Sequence, residues 1–201
     1  MNFFSIDCST DIGSLFVKIK NRTFSKNLQS DKSSNDSLMG EILVFFEENN
    51  LNFDNISQIY VNQGPGNFSG LRGSISTAKG ISLSKNIDLF GYNTFILSCA
   101  NYFKKKNPVY SIIKFRDKYF IKKFNINLKS NSRIESISSE KLLKKYDSKF
   151  KVIPKYFVKI SDKEILKLKN LKIESLDHNK LEFLQLNGLL DKDLIKPLYL
   201  G

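Results

Sequence analysis

The stretch Asn62-Gln63-Gly64-Pro65-Gly66-Asn67-Phe68-Ser69-Gly70-Leu71-Arg72, directly behind the apolar run Ile59-Tyr60-Val61, constrains the fold more than any other. Its glycines and proline, with an amide or hydroxyl every second or third residue, exclude regular structure. The pattern predicts a tight turn with outward-facing backbone amides, then a helix entered at Leu71–Arg72. Strand, glycine turn and helix in that order hold an anion or seat a neighbouring chain closely. No Gly-Lys-Ser/Thr ending follows, so this is not the phosphate loop of an NTPase. The spacing Gly64-x-Gly66-x-x-x-Gly70 is one residue too long for the dinucleotide fingerprint. The glycines also have a plainer use, which is to permit a sharp turn with no ligand at all.

Around this loop the chain alternates. Phe3–Asp7, Ser14–Ile19 and Thr23–Leu28 read as strands separated by turns at Asp11-Ile12-Gly13 and Asn21-Arg22. The polar stretch 29–36 is a loop in which Ser34, Asn35 or Asp36 caps a helix. That helix carries Leu38, Met39, Ile42, Leu43, Phe45 and Phe46 at three- and four-residue spacing and ends at Asn49-Asn50. Strand Gln58–Asn62, helix Leu71–Lys85, strand Asp88–Tyr92 and helix Thr94–Lys106 complete a βββαβα unit closed by one more helix. After Asn107-Pro108 the pattern restarts. Val109–Phe115, Lys118–Ile126, Arg133–Ile137 and Phe150–Ile153 are predicted strands. Glu140–Tyr146, Asp162–Leu168 and Lys180–Gly188 are predicted helices, and the tail 195–200 is extended. Two lobes follow, residues 1–106 and 107–201, in an α/β fold.

Charge divides along similar lines. Residues 1–100 hold 8 Lys and Arg against 9 Asp and Glu, whereas residues 101–201 hold 24 against 11. A basic second half fits attraction to a polyanion such as RNA. It fits equally a chain that over-uses Lys, Asn, Ile and Phe throughout, since the lysines are scattered and only Lys104–Lys106 forms a run. No apolar run is long enough for a membrane span, and the N-terminus lacks the charge pattern of a signal peptide. Cys8 and Cys99 are too few for a disulfide framework. The expectation is a reduced, cytoplasmic protein.

Catalytic candidates are sparse. Asp7 ends the first strand, and Ser9 and Thr10 could donate to a phosphate. A small metal-dependent nuclease or phosphotransferase using Asp7 with Glu41 or Glu47 is one reading, but Asn62 and Gln63 stand where a third acid belongs. A freestanding nucleotide-binding module built on the glycine loop is another. His178, the sole histidine, lies in a polar run and is expected at the surface; no metal site can be built from histidines. Arg72, in the first turn of its helix, opposes the helix dipole and calls for an anionic partner. Tyr119 and Phe120, on a basic hairpin, could stack bases but more simply pack in a sheet.

Partner binding has a positive argument. Gly73, Ser76, Thr77, Gly80 and Ser84 share one face of the second helix, and glycine costs about 1 kcal/mol per helix interior position relative to alanine. Such a face suits close approach by another backbone, with Leu71, Ile75, Ala78 and Leu83 supplying the side turned to the core. The first helix is apolar around much of its girth, through Leu38, Met39, Ile42, Leu43, Val44, Phe45 and Phe46. That exceeds one buried stripe.

Ile6-Asp7-Cys8-Ser9-Thr10, the loop Gly64–Arg72 and Thr77-Ala78-Lys79-Gly80 resemble the bacterial TsaB (YeaZ) family. The likeness is dense over residues 1–100 and thins afterwards, where Arg116 and Pro197-Leu198-Tyr199-Leu200 still resemble it. The segment 34–39 lacks a histidine that relatives carry. The resemblance implies the two-lobed actin/Hsp70/sugar-kinase superfamily fold, each lobe a mixed sheet with flanking helices. It implies a non-catalytic scaffold for forming N6-threonylcarbamoyladenosine at position 37 of tRNA. The partners would be a TsaD-like catalytic paralogue and a TsaE-like ATPase, which carry the ATP and metal, so that no cofactor is expected in this chain. Leu38, Met39, Ile42, Phe46, Gly73, Ser76, Thr77, Gly80 and Ser84 would form the docking face, which closes a homodimer when the chain is alone. tRNA would be met through the complex, with the basic back lobe adding attraction.

Overall fold

The computed structural model describes residues 1–28 and 38–200. They divide into two units, residues 1–93 with 181–199 and residues 94–180 with Leu200. The expected boundary after Lys106 is displaced twice over: the segment from Thr94 belongs to the second unit, and the stretch after Lys180 returns to the first.

In the first unit β1 (Phe3–Asp7), β2 (Gly13–Ile19), β3 (Arg22–Leu28), β4 (Gln58–Asn62) and β5 (Asp88–Tyr92) form one sheet in the order β3-β2-β1-β4-β5. β1, β2 and β3 pair antiparallel across short turns, while β4 pairs parallel with both β1 and β5. Parallel neighbours need a crossover, and α2 (Phe68–Lys85) makes the one from β4 to β5. Side chains alternate along β1. Phe4 and Ile6 join Leu15, Val17, Ile59 and Val61 in a core shared with α1 (Leu38–Glu48) and α2. Phe3 turns to the opposite face, 5.0 Å from the Tyr60 ring and 5.7 Å from that of Phe16. On that face Glu182 accepts from Lys18 Nζ at 3.1 Å and from the Met1 amine at 2.9 Å. Burial pushes the Glu182 carboxyl up, but those two donors pull it further down, so it sits below the usual carboxylate range. Covered on both sides, β1 is buried at every position.

α2 begins at Phe68 rather than Leu71. The Asn67 side chain accepts from the N–H groups of Ser69 (3.1 Å) and Gly70 (3.3 Å), which caps the helix early. Asn86, left-handed at φ 51°, ends it. The expected caps of α1 at Ser34, Asn35 and Asp36, with the segment lacking the relatives' histidine, fall largely outside the described residues.

The second unit repeats the plan. β6 (Val109–Phe115), β7 (Lys118–Phe124) and β8 (Glu135–Ile137) are antiparallel, and β9 (Lys151–Pro154) and β10 (Leu171–Glu174) are parallel additions beside β6, in the order β10-β9-β6-β7-β8. Ile112, Tyr119, Ile121 and Ile137 pack with Leu142 and Tyr146 of α4 (Ser139–Tyr146) and Ile165 of α6 (Lys163–Leu166). Tyr119 is 0% and Phe120 8% exposed, so both rings serve the core and neither presents a face to a base. α3 (Thr94–Cys99) is shorter than the expected Thr94–Lys106. A 3₁₀ turn follows it, and Lys104, at φ 55°, donates its N–H to Ile126 O at 2.7 Å, which draws the chain out of the helix. α5 (Lys155–Val158) and β10 were not anticipated; both are four residues long, too short to show a period.

His178 is buried, at 8% exposed, contrary to the expected surface position. The Asp177 carboxylate accepts from the Asn179 N–H at 3.0 Å in the turn leading into α7 (Lys180–Leu186).

Candidate functional site

The glycine loop closes onto its own chain. A Cβ built on Gly66 would stand 1.8 Å from Ser9 O, and one on Gly70 would stand 2.3 Å from Cys8 O. Only hydrogen fits there, because the backbone behind β1 lies directly against the turn. Asn67 N–H donates to Ser9 O at 2.8 Å, and Gly64 N–H donates to Asn62 Oδ1 at 2.8 Å. The loop amides named here are thus engaged within the chain, and the glycines serve a close backbone crossing.

Asp7 lies under this crossing, 7% exposed. Its Oδ1 accepts from Ser9 N–H (2.9 Å) and Ser9 Oγ (2.6 Å); its Oδ2 accepts from Asn62 Nδ2 (2.8 Å) and Tyr92 Oη (3.4 Å). Both carboxylate oxygens are thereby occupied, as buried charge requires. Burial, and next the Asp7 charge, hold the Tyr92 hydroxyl well above its ordinary range. The same two causes push the Cys8 thiol up to about 12, so it stays protonated and unreactive at neutral pH. Ser9 and Thr10, expected as phosphate donors, are spent inside the fold: Thr10 Oγ1 donates to Ile12 O at 2.8 Å.

The nuclease arrangement does not assemble. Glu41 pairs with Lys26 Nζ at 3.0 Å, Glu47 is exposed, and no three His, Cys, Asp or Glu side chains among the described residues could hold a metal ion together. Arg72 has found an aromatic setting instead of the anion its place in the helix suggested. Its guanidinium lies 4.0 Å from the Phe68 ring, and Nε donates to Tyr199 Oη at 3.0 Å. Because α2 starts at Phe68, Arg72 is in the second turn, where the dipole opposes it less.

The tail, which the sequence marks as extended and as one part of the family resemblance, belongs to this site. Leu198 N–H donates to Gln63 O at 2.6 Å, and Gln63 Nε2 donates to Lys196 O at 3.1 Å. Gly91 makes room for the Gln63 side chain: an added Cβ would meet Oε1 at 2.4 Å. A glycine inside a strand is the signal that could have shown it.

The expected docking face separates into two sets. Leu38, Ile42 and Phe46 are 8%, 0% and 4% exposed and belong to the unit's own core, so they are not available to a partner. A helix apolar all round does not reveal which side turns inward. Met39, Leu43 and Val44 do face outward, at 39%, 51% and 44%, and so does Leu83 at 84%, which had been assigned to the core. Gly80, Ser76 and Ser84 are exposed, while Gly73 and Thr77 are half-buried. Among the described residues nothing lies within 4 Å of a Cβ added to Gly40 or Gly80, so no packing between them requires either glycine.

Two mixed five-stranded sheets with flanking helices, built on one strand order, define an α/β protein of two like units. Over its whole length the chain matches a Pseudomonas aeruginosa crystal structure described as an uncharacterized protein with similarity to peptidase YEAZ (15% identity, TM-score 0.73, 99% of that chain). YeaZ from the same organism matches at 15% identity and TM-score 0.71, covering 99% of both chains. A family model described as TsaD, tRNA N6-adenosine threonylcarbamoyltransferase, matches residues 28–120. Two curated relatives are named tRNA threonylcarbamoyladenosine biosynthesis protein TsaB. That of Buchnera aphidicola subsp. Baizongia pistaciae is 32% identical over 41% of this chain and 38% of its own length. That of subsp. Schizaphis graminum is 25% identical over 85% of this chain and 83% of its own. By sequence the chain is thus similar to proteins named TsaB over most of its length, and by fold to YeaZ.

Proposed function

We propose that the chain is a non-catalytic subunit in the formation of threonylcarbamoyladenosine on tRNA, docking a TsaD-like paralogue through the outer faces of α1 and α2. The observation that carries this reading is an exposed apolar surface with two glycines set into it. Met39, Leu43, Val44 and Leu83 stand in water, and Gly40 and Gly80 each forgo about 1 kcal/mol of helix stability with open space above them. Helices bearing glycine on an outward face let another backbone come near, and exposed apolar groups around the glycines favour a protein occupant. The engaged loop amides and the saturated Asp7 carboxylate support a supporting role in place of chemistry. ATP and metal are assigned to the partner subunits, a TsaE-like ATPase among them, and no cofactor to this chain. Binding one conformer of the paralogue shifts it toward its active shape. Without the paralogue the same surface pairs two copies of this chain, and the basic second unit attracts tRNA to the complex.

The test is co-purification of the chain with the TsaD-like protein of the same organism. A Gly80→Leu, Leu43→Glu double variant that folds normally should lose association and fail to restore the modified adenosine in tRNA. Association unchanged in the double variant overturns the docking face. Modified tRNA formed by this chain with no paralogue present overturns the non-catalytic role.

A further inference from the structure

Beside the loop, the outer stripe of α2 and the returning tail enclose a cleft of about 520 Å³, lined by Arg72, Ile75, Ser76, Lys79, Ile195, Lys196, Pro197 and Tyr199. Three cations line it, and none forms an ion pair among the described residues. Composition does not explain this. The unit that holds the cleft has 10 Lys and Arg against 12 Asp and Glu. Four of its other lysines are matched to carboxylates: Lys18 to Glu182 (3.1 Å), Lys26 to Glu41 (3.0 Å), Lys85 to Asp54 (3.3 Å) and Lys192 to Asp88 (3.3 Å). Of the other described cations, Lys20 and Arg22 stand at the β2–β3 turn, and the remaining three, Arg72, Lys79 and Lys196, share this one concavity.

We infer that this cleft is a socket for carboxylates carried by the protein that packs along α2. The inference rests on the docking face proposed above and names the charge that face selects. Arg72, Ser76, Lys79 and Leu83 follow one another at four, three and four residues, so they form a single stripe along the helix. A partner laid over Leu83 and Gly80 therefore runs onto Lys79 and Arg72. Arg72, Lys79 and Lys196 are all exposed, so the cleft is a surface feature and not the enclosed pocket that buries most of a small ligand. The floor of Ile75, Ile195 and Pro197 takes the methylenes of Asp or Glu side chains, and the cations take their heads. Arg72 is already held in place by the stacked Phe68 and Tyr199 rings, 5.2 Å apart, which lowers the ordering cost of engaging it.

The experiment measures affinity for the TsaD-like protein at low and high salt, for the wild type and for an Arg72→Glu, Lys79→Glu, Lys196→Glu variant whose thermal melting is checked first. We expect a loss on the order of tenfold or more at low salt, with much of the wild-type salt dependence gone. A single Lys79→Gln variant, which disturbs folding least, should lose a smaller part in the same direction. Wild-type binding matched within twofold by the triple variant overturns the socket and leaves the docking face standing. No wild-type binding overturns both. Titration with ATP alone is the third arm: micromolar binding abolished in the triple variant would make the site one for a phosphate ligand and overturn the assignment to protein carboxylates.

Discussion

The two units share a strand order and differ in what the backbone does between the strands. In both, three antiparallel strands are extended by two parallel ones. Between β4 and β5 the first unit places an eighteen-residue helix, α2, where the second has α5 and α6 of four residues each between β9 and β10. Residues 94–180 contain no glycine. Where that unit needs a left-handed residue it uses Lys104, Arg116, Leu128 and Asn170, accepting a conformation that side chains other than glycine and asparagine resist. The first unit has glycines where its chain crosses itself under 3 Å from a would-be Cβ, and again where its helices face open space. Charge diverges as well: residues 94–180 hold 22 Lys and Arg against 8 Asp and Glu. One sheet plan thus carries a half with glycines at its close crossings and on its outward helix faces, and a glycine-free, strongly basic half.

The sharpest way to break this contrast is to fill the crossing. Gly66→Ala places a methyl 1.8 Å from the Ser9 carbonyl, where both sides are backbone and cannot swing away. A loss on the order of 3 kcal/mol is expected in chemical denaturation. A variant as stable as wild type would show that the loop does not need its close contact.

Acid should separate the units next. A hydrogen bond from Lys114, at 2.6 Å, and then one from Ser139 hold the Asp162 carboxyl below its ordinary range; Lys145 and then Tyr146 do the same for Glu135. Since both folded values are depressed, their stabilisation is full above the unfolded carboxylate range near pH 4. It disappears as pH falls through the folded values. With both pairs part-exposed, about 1 kcal/mol together is at stake. Hydrogen exchange followed from pH 6 to 3 should show β6–β8 losing protection before β1 and β4, helped by self-repulsion in the basic unit. Simultaneous loss in both units would remove the distinction.

Gly80→Ala is the smallest effect and runs the other way. With nothing near the added methyl, the isolated chain should gain about 0.8 kcal/mol. A destabilised variant would mean that Gly80 is required by the chain's own fold, and the case for an outward docking face would weaken.

Local pattern carried much of this protein. Short apolar runs marked β1, β4 and β5, Asn49-Asn50 marked the end of α1, and strand–glycine–helix marked the loop and with it the family resemblance. These features are written within a few residues of one another, so the sequence determined them alone. The tertiary structure decided everything that depends on distant residues meeting. Gly66 is required to be glycine because Ser9 lies against it, and Asp7 became a buried strut because Asn62 and Tyr92 reach it from two other strands. The return of residues 181–199 moved the unit boundary and built the cationic cleft. On α1 the apolar residues run around the helix, and only packing against β1 and β4 chose Ile42 and Phe46 for the inside and left Leu43 and Val44 in water. Burial is a property of the surroundings, and periodicity alone records which residues share a side, not where that side points.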